Sequence, residues 1–271
     1  MTATMEECKS TSLYYREGSS DKEYHVRLEA KDNGFVVNIA FGRRGSTLST
    51  GTKTSAPVYY DAALMIFEKT VREKKAKGYT EGPDGTPHQH TENQSQVSGL
   101  MPQLLNTVDE AEAARLTSQA GWGMQEKKDG KRLLLRKANG TIEGINKKGL
   151  VVGVVETVVK TASELRGEFV IDGESIGDYL HAFDLLFLDG EDLRPRPYRQ
   201  RYGALLTLLA GGLPKHITVV SCWVDPIDKA SWLRSLKEQK AEGVVFKLMN
   251  APYTAGKPNS GGSQLKHKFV A

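Results

Sequence analysis

The sequence predicts an α+β protein, with a small sheet-plus-helix domain followed by a larger domain of mainly antiparallel sheets and helices. Three observations carry this. Apolar residues alternate in some segments and recur at helical spacing in others, and hairpins are interleaved with helices rather than strictly alternating with them. The chain has 271 residues, enough for two domains at about 100–200 residues each. Between them lies "TEGPDGTPHQHTENQSQVSG", rich in Gly, Pro, Ser, Gln and His and almost free of large apolar side chains. The expected division is residues 1–80, a linker at 81–99, and a second domain at 100–271.

In the first domain "DKEYHVRLEA" and "GFVVNIAFGRRG" flank a Lys-Asp-Asn-Gly turn and predict two antiparallel strands. "YYDAALMIFEKTVREKKAKGY" predicts an amphipathic helix with Ala62, Met65, Ile66 and Val71 on its apolar face, stopped by Gly78. After the linker, "PQLLNTVDEAEAARLTSQA" reads as a helix capped by Asp109. "GWGMQEK" and "KRLLLRK" read as a hairpin around Asp129-Gly130, and Asn139-Gly140 as a second hairpin turn before "TIEGINKKG". "LVVGVVETVVKTASEL" predicts a helix, "GEFVIDGESIG" and "LHAFDLLFLDG" strands, "YRQRYGALLTLLA" a helix and "HITVVSCWV" a strand. Asp225-Pro226 caps and starts the helix "PIDKASWLRSLKEQK". "EGVVFKLM" and "SQLKHKF" are expected to close the fold as strands.

Composition narrows the function class. No run of about 18 uncharged apolar residues spans a membrane, and "MTATMEECKSTSLYY" lacks the apolar core of a secretory signal. Two cysteines, Cys8 and Cys222, are too few for a disulfide framework or a zinc site, so a reducing intracellular compartment is expected. His88 and His90 form an H-x-H pair with no further ligand nearby, which is short of a stable metal site. The net charge of +4 is compatible with a nucleic-acid partner without demanding one.

Chemistry concentrates after Met124. A lysine at its ordinary pKa is almost wholly protonated at pH 7, and neighbouring cations favour its neutral, nucleophilic form. Lys128, Lys131 and Arg132 surround Lys127 in sequence, and strand alternation puts Lys127 with Asp129 and turns Lys128 away. Lys127 is therefore the candidate nucleophile. By themselves these residues read more readily as a charged hairpin turn. They are followed, in order, by Asp172-Gly173-Glu174, Phe183-Asp184-Leu185-Leu186, Glu242-Gly243-Val244-Val245-Phe246-Lys247 and Lys266-His267-Lys268.

This ordered set resembles the motifs of the ATP-dependent DNA ligases, within the covalent nucleotidyltransferase superfamily, over about residues 100–270. "FDLLFLDGEDLRPRPYRQRYGALL" and "APYTAGKPNSGGSQLKHK" resemble DNA ligases specifically. The resemblance implies an ATP-grasp-like ligase nucleotidyltransferase fold, ATP as cosubstrate, Mg²⁺ or Mn²⁺ as cofactor, and nicked duplex DNA as substrate. It implies catalytic roles for Lys127, Asp129, Arg132, Lys266 and Lys268. Gln125, Glu126, Lys147, Glu174, Phe183 and Lys247 join Lys127, Arg132, Lys266 and Lys268 around ATP, with Phe183 stacked on adenine. Glu174 and Glu242 are the implied metal ligands, hard oxygens suited to a divalent cation. Gln125 stands where the family has Glu, and Asn146-Lys147-Lys148-Gly149 replaces Ser-Arg-Asn-Gly.

Residues 11–80 resemble a WGR domain, with Phe41-Gly42-Arg43 in place of Trp-Gly-Arg. That implies binding at broken DNA, Phe41 stacking on an exposed base pair and Arg43 and Arg44 holding phosphates. The chain ends three residues after Lys268, where the family continues into an OB-fold. The expectation is that the WGR-like module, or a separate partner protein, supplies that grip. RNA ligation or end-adenylylation is the alternative enzymatic reading, and a non-catalytic DNA-end adaptor the alternative of another class.

Overall fold

The computed structural model describes residues 8–17, 20–43, 48–82, 88–89, 91–93, 96–210 and 215–269. The chain divides into two compact units, one comprising residues up to His88 with Ile176–Asp178, the other Gln89–Ser175 with Tyr179 onward.

The first unit is a four-stranded antiparallel meander of Lys9–Glu17, Ser20–Lys31, Gly34–Arg43 and Ser49–Thr52, in that spatial order. Only the two central strands are legible from the alternation. Lys9–Glu17 pairs along its whole length with the second strand, although its Ser- and Thr-rich start hides the pattern. The helix Tyr60–Ala76 packs Ala63 and Phe67 against Leu13, Tyr24, Val26, Leu28, Phe35 and Val37. Ile66 and Val71 pack against this core as expected, while the rest of the expected stripe is displaced. Ala62 is exposed and Met65 is 51% exposed, because Ala63, Phe67 and Thr70 turn inward instead. Gly78 ends the helix at φ 84°, with its N–H and that of Tyr79 returning to Lys75 and Lys74 carbonyls.

The second unit has two main sheets. Among the described residues the larger runs Val151–Val152, Thr141–Ile145, Lys131–Ala138, Phe169–Ile176, Tyr179–Leu188, Glu191–Asp192, with Ile217–Val219 parallel to Tyr179–Leu188. The smaller runs Asn106–Thr107, Gln264–Lys268, Gly243–Leu248, Trp122–Glu126. Asn139 and Gly140, at φ 49° and 75°, make the expected turn between paired Ala138 and Thr141.

The other expected hairpin does not form. Trp122–Glu126 pairs with Gly243–Leu248, whereas Lys131–Ala138 pairs with Thr141–Ile145 and Phe169–Ile176. The segment 127–130 is irregular and carries the chain from one sheet to the other. Asp-Gly would suit a tight turn, but each flanking strand finds a longer apolar partner elsewhere.

Two expected helices are shorter than their patterns. Glu110–Ser118 is helical, capped by Asp109 accepting from the Glu112 N–H at 2.8 Å, while Asn106–Thr107 joins a sheet. Glu156–Glu164 is helical, while Val151–Val152 and Val154–Val155 are extended, as β-branched residues favour. Asp225 caps Pro226–Glu238 as expected. Tyr198–Ala210 is helical as expected. Of "HITVVSCWV" only Ile217–Val219 is strand, although Trp223 makes a bridge to Met124.

Within the polar 81–99 segment, Thr91, Asn93 and Ser98 are docked within the second unit. Thr91 and Asn93 donate to the buried Glu143 carboxylate at 2.9 and 2.7 Å, and Ser98 N–H donates to the Gly149 carbonyl at 2.9 Å. The His88 side chain and His90 lie outside the described residues, as does Arg44. No helix among the described residues is long and apolar enough to cross a membrane.

Candidate active site

The smaller sheet of the second unit has one core face and one polar face. Met124, Val244, Phe246 and Leu265 are buried with Leu116 and Leu236 beneath the helices. The alternate positions face the other way: Gln125 opposite Val245, and Val245 opposite Lys266. Lys127 extends this row by one step, its N–H donating to the Gly243 carbonyl at 2.9 Å. The cleft here is lined by Gln125, Glu126, Lys127, Lys128, Arg132, Glu174, Phe183, Lys247 and Gln264, with Leu105 and Val245.

The pairing of Gly243 with Lys268 brings Glu242 to the end of this row. A Cβ at Gly243 would lie 2.1 Å from the His267 carbonyl oxygen, so the glycine permits the strands to close. Glu242 then accepts hydrogen bonds from both Lys127 and Lys268, the latter at 2.7 Å. These two ammonium groups hold the Glu242 carboxyl below its ordinary pKa despite the opposing effect of burial. Lys266 is pushed down by burial, then by Lys127, Lys268 and Lys257. Three lysines around one carboxylate leave this end of the cleft cationic.

The larger sheet supplies the other wall. Arg132 lies opposite Glu174 and forks onto Asp172, Nε to Oδ1 at 2.6 Å and a terminal nitrogen to Oδ2 at 2.7 Å. Tyr253 donates to Asp172 at 2.8 Å, and its own oxygen accepts the Gln103 N–H at 2.7 Å. Gly173, between the two carboxylates, is required by close packing: a Cβ there would meet the His181 carbonyl at 2.8 Å. Burial raises Glu174 to about 7 against the opposing Arg132 and Lys127 charges.

Two cations lie over the Phe183 ring. The Arg132 guanidinium carbon is 4.5 Å and the Lys247 Nζ 4.3 Å from its ring centroid. Lys247 is 2% exposed, donates to the Phe183 carbonyl at 3.2 Å, and lies 4.5 Å from the Tyr198 ring. Burial lowers it to about 8. Behind Phe183, Asp184 takes a bidentate pair from fully buried Arg201 at 2.9 Å. Gln125 donates through Nε2 to the Val220 carbonyl at 2.9 Å.

The structure therefore gathers Gln125, Glu126, Lys127, Arg132, Glu174, Phe183 and Lys247 in one cleft, with Glu242 bonded to Lys127 and Lys268 bonded to Glu242. Glu126 is held by Lys128 at 2.5 Å. Asp129 is half-buried and is not among the lining residues. The alternation that paired it with Lys127 fails because regular strand ends at Glu126. Lys147 is exposed in a turn held by Asn146, whose side chain accepts the Lys148 N–H at 2.8 Å, and is also outside the lining. In the first unit, Phe41 is 41% exposed and stacks on Tyr24 at 5.7 Å, with exposed Arg43 two residues along the same strand.

Sequence reasoning assigned no role to Asp172, Tyr253, Gln103, Tyr198 or Arg201, which fix Arg132, Phe183 and Lys247. Asp172 and Asp184 stood inside the noted motifs, which was the available signal. Tyr253 stood inside the ligase-like stretch that begins at Ala251, but its partner Asp172 lies 81 residues away; Gln103 left no signal, its partner Tyr253 lying 150 residues away.

Glu174 and Glu242 offer hard oxygen donors, and Glu242 is close enough to raise the Glu174 pKa. No cluster of three or more His, Cys, Asp or Glu side chains among the described residues forms a complete metal cage. This donor set fits a Mg²⁺-like cation that completes its shell with substrate phosphates and water.

Residues 176–268 match the family model described as "ATP dependent DNA ligase domain". A probable DNA ligase of Dictyoglomus thermophilum is 37% identical over 90 residues, covering 33% of this chain and 16% of the relative. One from Streptomyces griseus is 42% identical over 91 residues, covering 32% and 17%. The matched stretch thus spans about a sixth of these curated relatives. The ligase domain of M. tuberculosis LigD superposes with a TM-score of 0.52 at 22% identity, over 64% of this chain and 60% of that one. A mycobacterial DNA ligase D complexed with ATP and MES gives 0.50 at 22% identity, over 64% and 61%.

Proposed function

We propose that this chain is an ATP-dependent DNA ligase acting through Lys127. The observation that carries this reading is the cleft in which Lys127, with its Glu242–Lys268 partners, faces Arg132, Glu174, Phe183 and Lys247. Similarity to proteins named DNA ligase supports it.

ATP enters with adenine against the Phe183 ring, and Gln125 at the cleft floor is the adjacent polar contact. Arg132, held by Asp172, meets the ribose or a phosphate. Neutral Lys127 Nζ attacks the α-phosphorus, an N–P bond forms, and the bond to pyrophosphate breaks with the electron pair on the departing oxygen. Lys247, Lys266 and Lys268 stabilise that charge. Lys127 must first lose a proton, and its resting bond to Glu242 must be exchanged. Glu174 and Glu242 would hold Mg²⁺ or Mn²⁺, which when bound screens the phosphate charge. AMP then passes from Lys127 to a DNA 5′-phosphate, and a 3′-hydroxyl attacks that phosphate with AMP as leaving group. In the first unit, Phe41, Arg43 and Arg44 of a WGR-like module would grip the broken duplex.

Incubation of the protein with ATP and Mg²⁺ is expected to add one AMP by mass spectrometry, and Lys127→Ala to abolish the adduct. The same preparation should seal singly nicked duplex DNA in preference to nicked RNA. An adduct that survives Lys127→Ala overturns the assignment of the nucleophile. Tight binding of nicked DNA with no adduct at any ATP concentration would favour the adaptor reading.

A further inference from the structure

Tyr179, His181 and Phe183 are alternate residues of the strand Tyr179–Leu188 and so share one face. Phe183 lines the cleft, while the intervening Leu180 and Ala182 are buried in the core behind. Ile217–Val219 runs parallel alongside, His181 opposite Thr218, and the Leu180 N–H donates to the His216 carbonyl at 2.8 Å. That register brings His216 level with Tyr179. The Tyr179 ring lies 5.1 Å from His216 at 36° and 6.3 Å from His181 at 27°. Thr218 Oγ1 and His181 Nδ1 are 3.0 Å apart, which fixes the imidazole.

The Tyr179 ring is therefore inclined by modest angles to each of the two imidazoles, and Tyr179 is 42% exposed. Burial and then the Lys128 charge keep His181 below its ordinary pKa, so at pH 7 it offers a neutral π face. Exposed Lys215 beside His216 supplies positive charge near the rings, and Lys128 acts on His181 as an ion pair with Glu126. Aromatic faces beside a cation suit a nucleobase with its phosphate, since every base presents a π face. The same strand face continues to Phe183, so a polynucleotide whose 5′-phosphate takes AMP from Lys127 passes close to this surface.

We propose that Tyr179, His181 and His216 form a stacking platform for a nucleobase flanking the junction that the cleft seals. This rests on the ligase reading of the cleft and adds to it a contact with the polynucleotide outside the ATP site. The test uses the full chain and nicked duplexes carrying 2-aminopurine at successive positions on either side of the nick. Wild type should quench the probe at one or two positions. Tyr179→Leu, which keeps apolar bulk without a π system, and His216→Ala should lose that quench and bind at least about fivefold more weakly, as expected for removing one base stack. Tyr179→Phe should behave as wild type, and AMP-adduct formation on Lys127 should be the same in all. Unchanged quench and affinity in both Tyr179→Leu and His216→Ala overturn the platform. So does adduct formation without quench at any position in wild type, and this leaves the ligase reading intact. Quench without any adduct retains the platform and overturns that reading instead.

Discussion

Glu174 and Lys247 face the same cleft, and burial drives both toward neutrality, Glu174 to about 7 and Lys247 to about 8. For Glu174 the folded-state value lies above the ordinary carboxylate range. Its contribution to stability is therefore full below about pH 4 and is lost as pH rises through about 7. Glu174→Gln should remove that loss. The variant's urea stability relative to wild type should increase between pH 5 and pH 8 by on the order of 2 kcal/mol. Lys247 titrates in the opposite sense. Phosphate oxygens favour its ammonium form, so ATP binding at pH 8 should take up about half a proton. Calorimetry in buffers of different ionisation enthalpy reads this directly, and Lys247→Met should abolish it. Neither shift is visible in sequence, because Glu174 and Lys247 are 73 positions apart and meet only when two sheets close around them. What is visible is residue type: an amine, carboxylates, an aromatic ring and cations in a recurring order.

The strands and helices explain how Lys127 is held. Trp122–Glu126 ends one residue before it, and Lys131 begins the next strand in a different sheet. The proposed nucleophile thus sits on a crossing between sheets, reached by both walls of the cleft. A hairpin would have put both strands in one sheet and left Lys127 at a solvated tip. Lys229, wholly buried on the helix Pro226–Glu238, anchors this arrangement by donating to the carbonyls of Leu116, Gln119 and Trp122. It closes the C-terminus of Glu110–Ser118 and fixes the start of the strand leading to Lys127. Lys229→Met would leave those carbonyls without this donor and should cost on the order of 3 kcal/mol by urea unfolding. Gly243→Ala should cost about 2 kcal/mol or more, since its Cβ would collide with the His267 carbonyl. It should also slow AMP-adduct formation, because it parts Glu242 from Lys268. Helix caps such as Asp109 and Asp225 were legible because a cap is a local bond. The helix expected at 150–165 forms only in its second half because Val151 and Val152 pair back onto Ile145 and Gly144, which period alone does not reveal.

Each of the two units has a hydrophobic core of its own, Leu13 to Phe67 in the first and the clusters around Leu135, Phe246 and Leu134 in the second. The cleft draws all its lining residues from the second. Residues 89–271 produced alone should therefore still take AMP onto Lys127 at a rate within a few-fold of the full chain. If the first unit grips DNA, the same fragment should bind nicked duplex at least about tenfold more weakly, a loss readable by titration at fixed salt. Loss of the adduct on removing the first unit would place part of the ATP site outside the cleft described.

Sequence by itself determined the inventory and the local geometry: the α+β class, the Asn139-Gly140 turn, the Asp109 and Asp225 caps, and the ordered set from Lys127 to Lys268. These are carried by residue type, by period and by bonds spanning a few positions. Tertiary structure alone decided which strand each segment would pair with. It turned a supposed hairpin into a crossing, put Glu242 on both Lys127 and Lys268, and left Asp129 and Lys147 outside the cleft lining. Strand pairing is settled by which distant apolar faces bury each other, and that competition has no local signature in the chain.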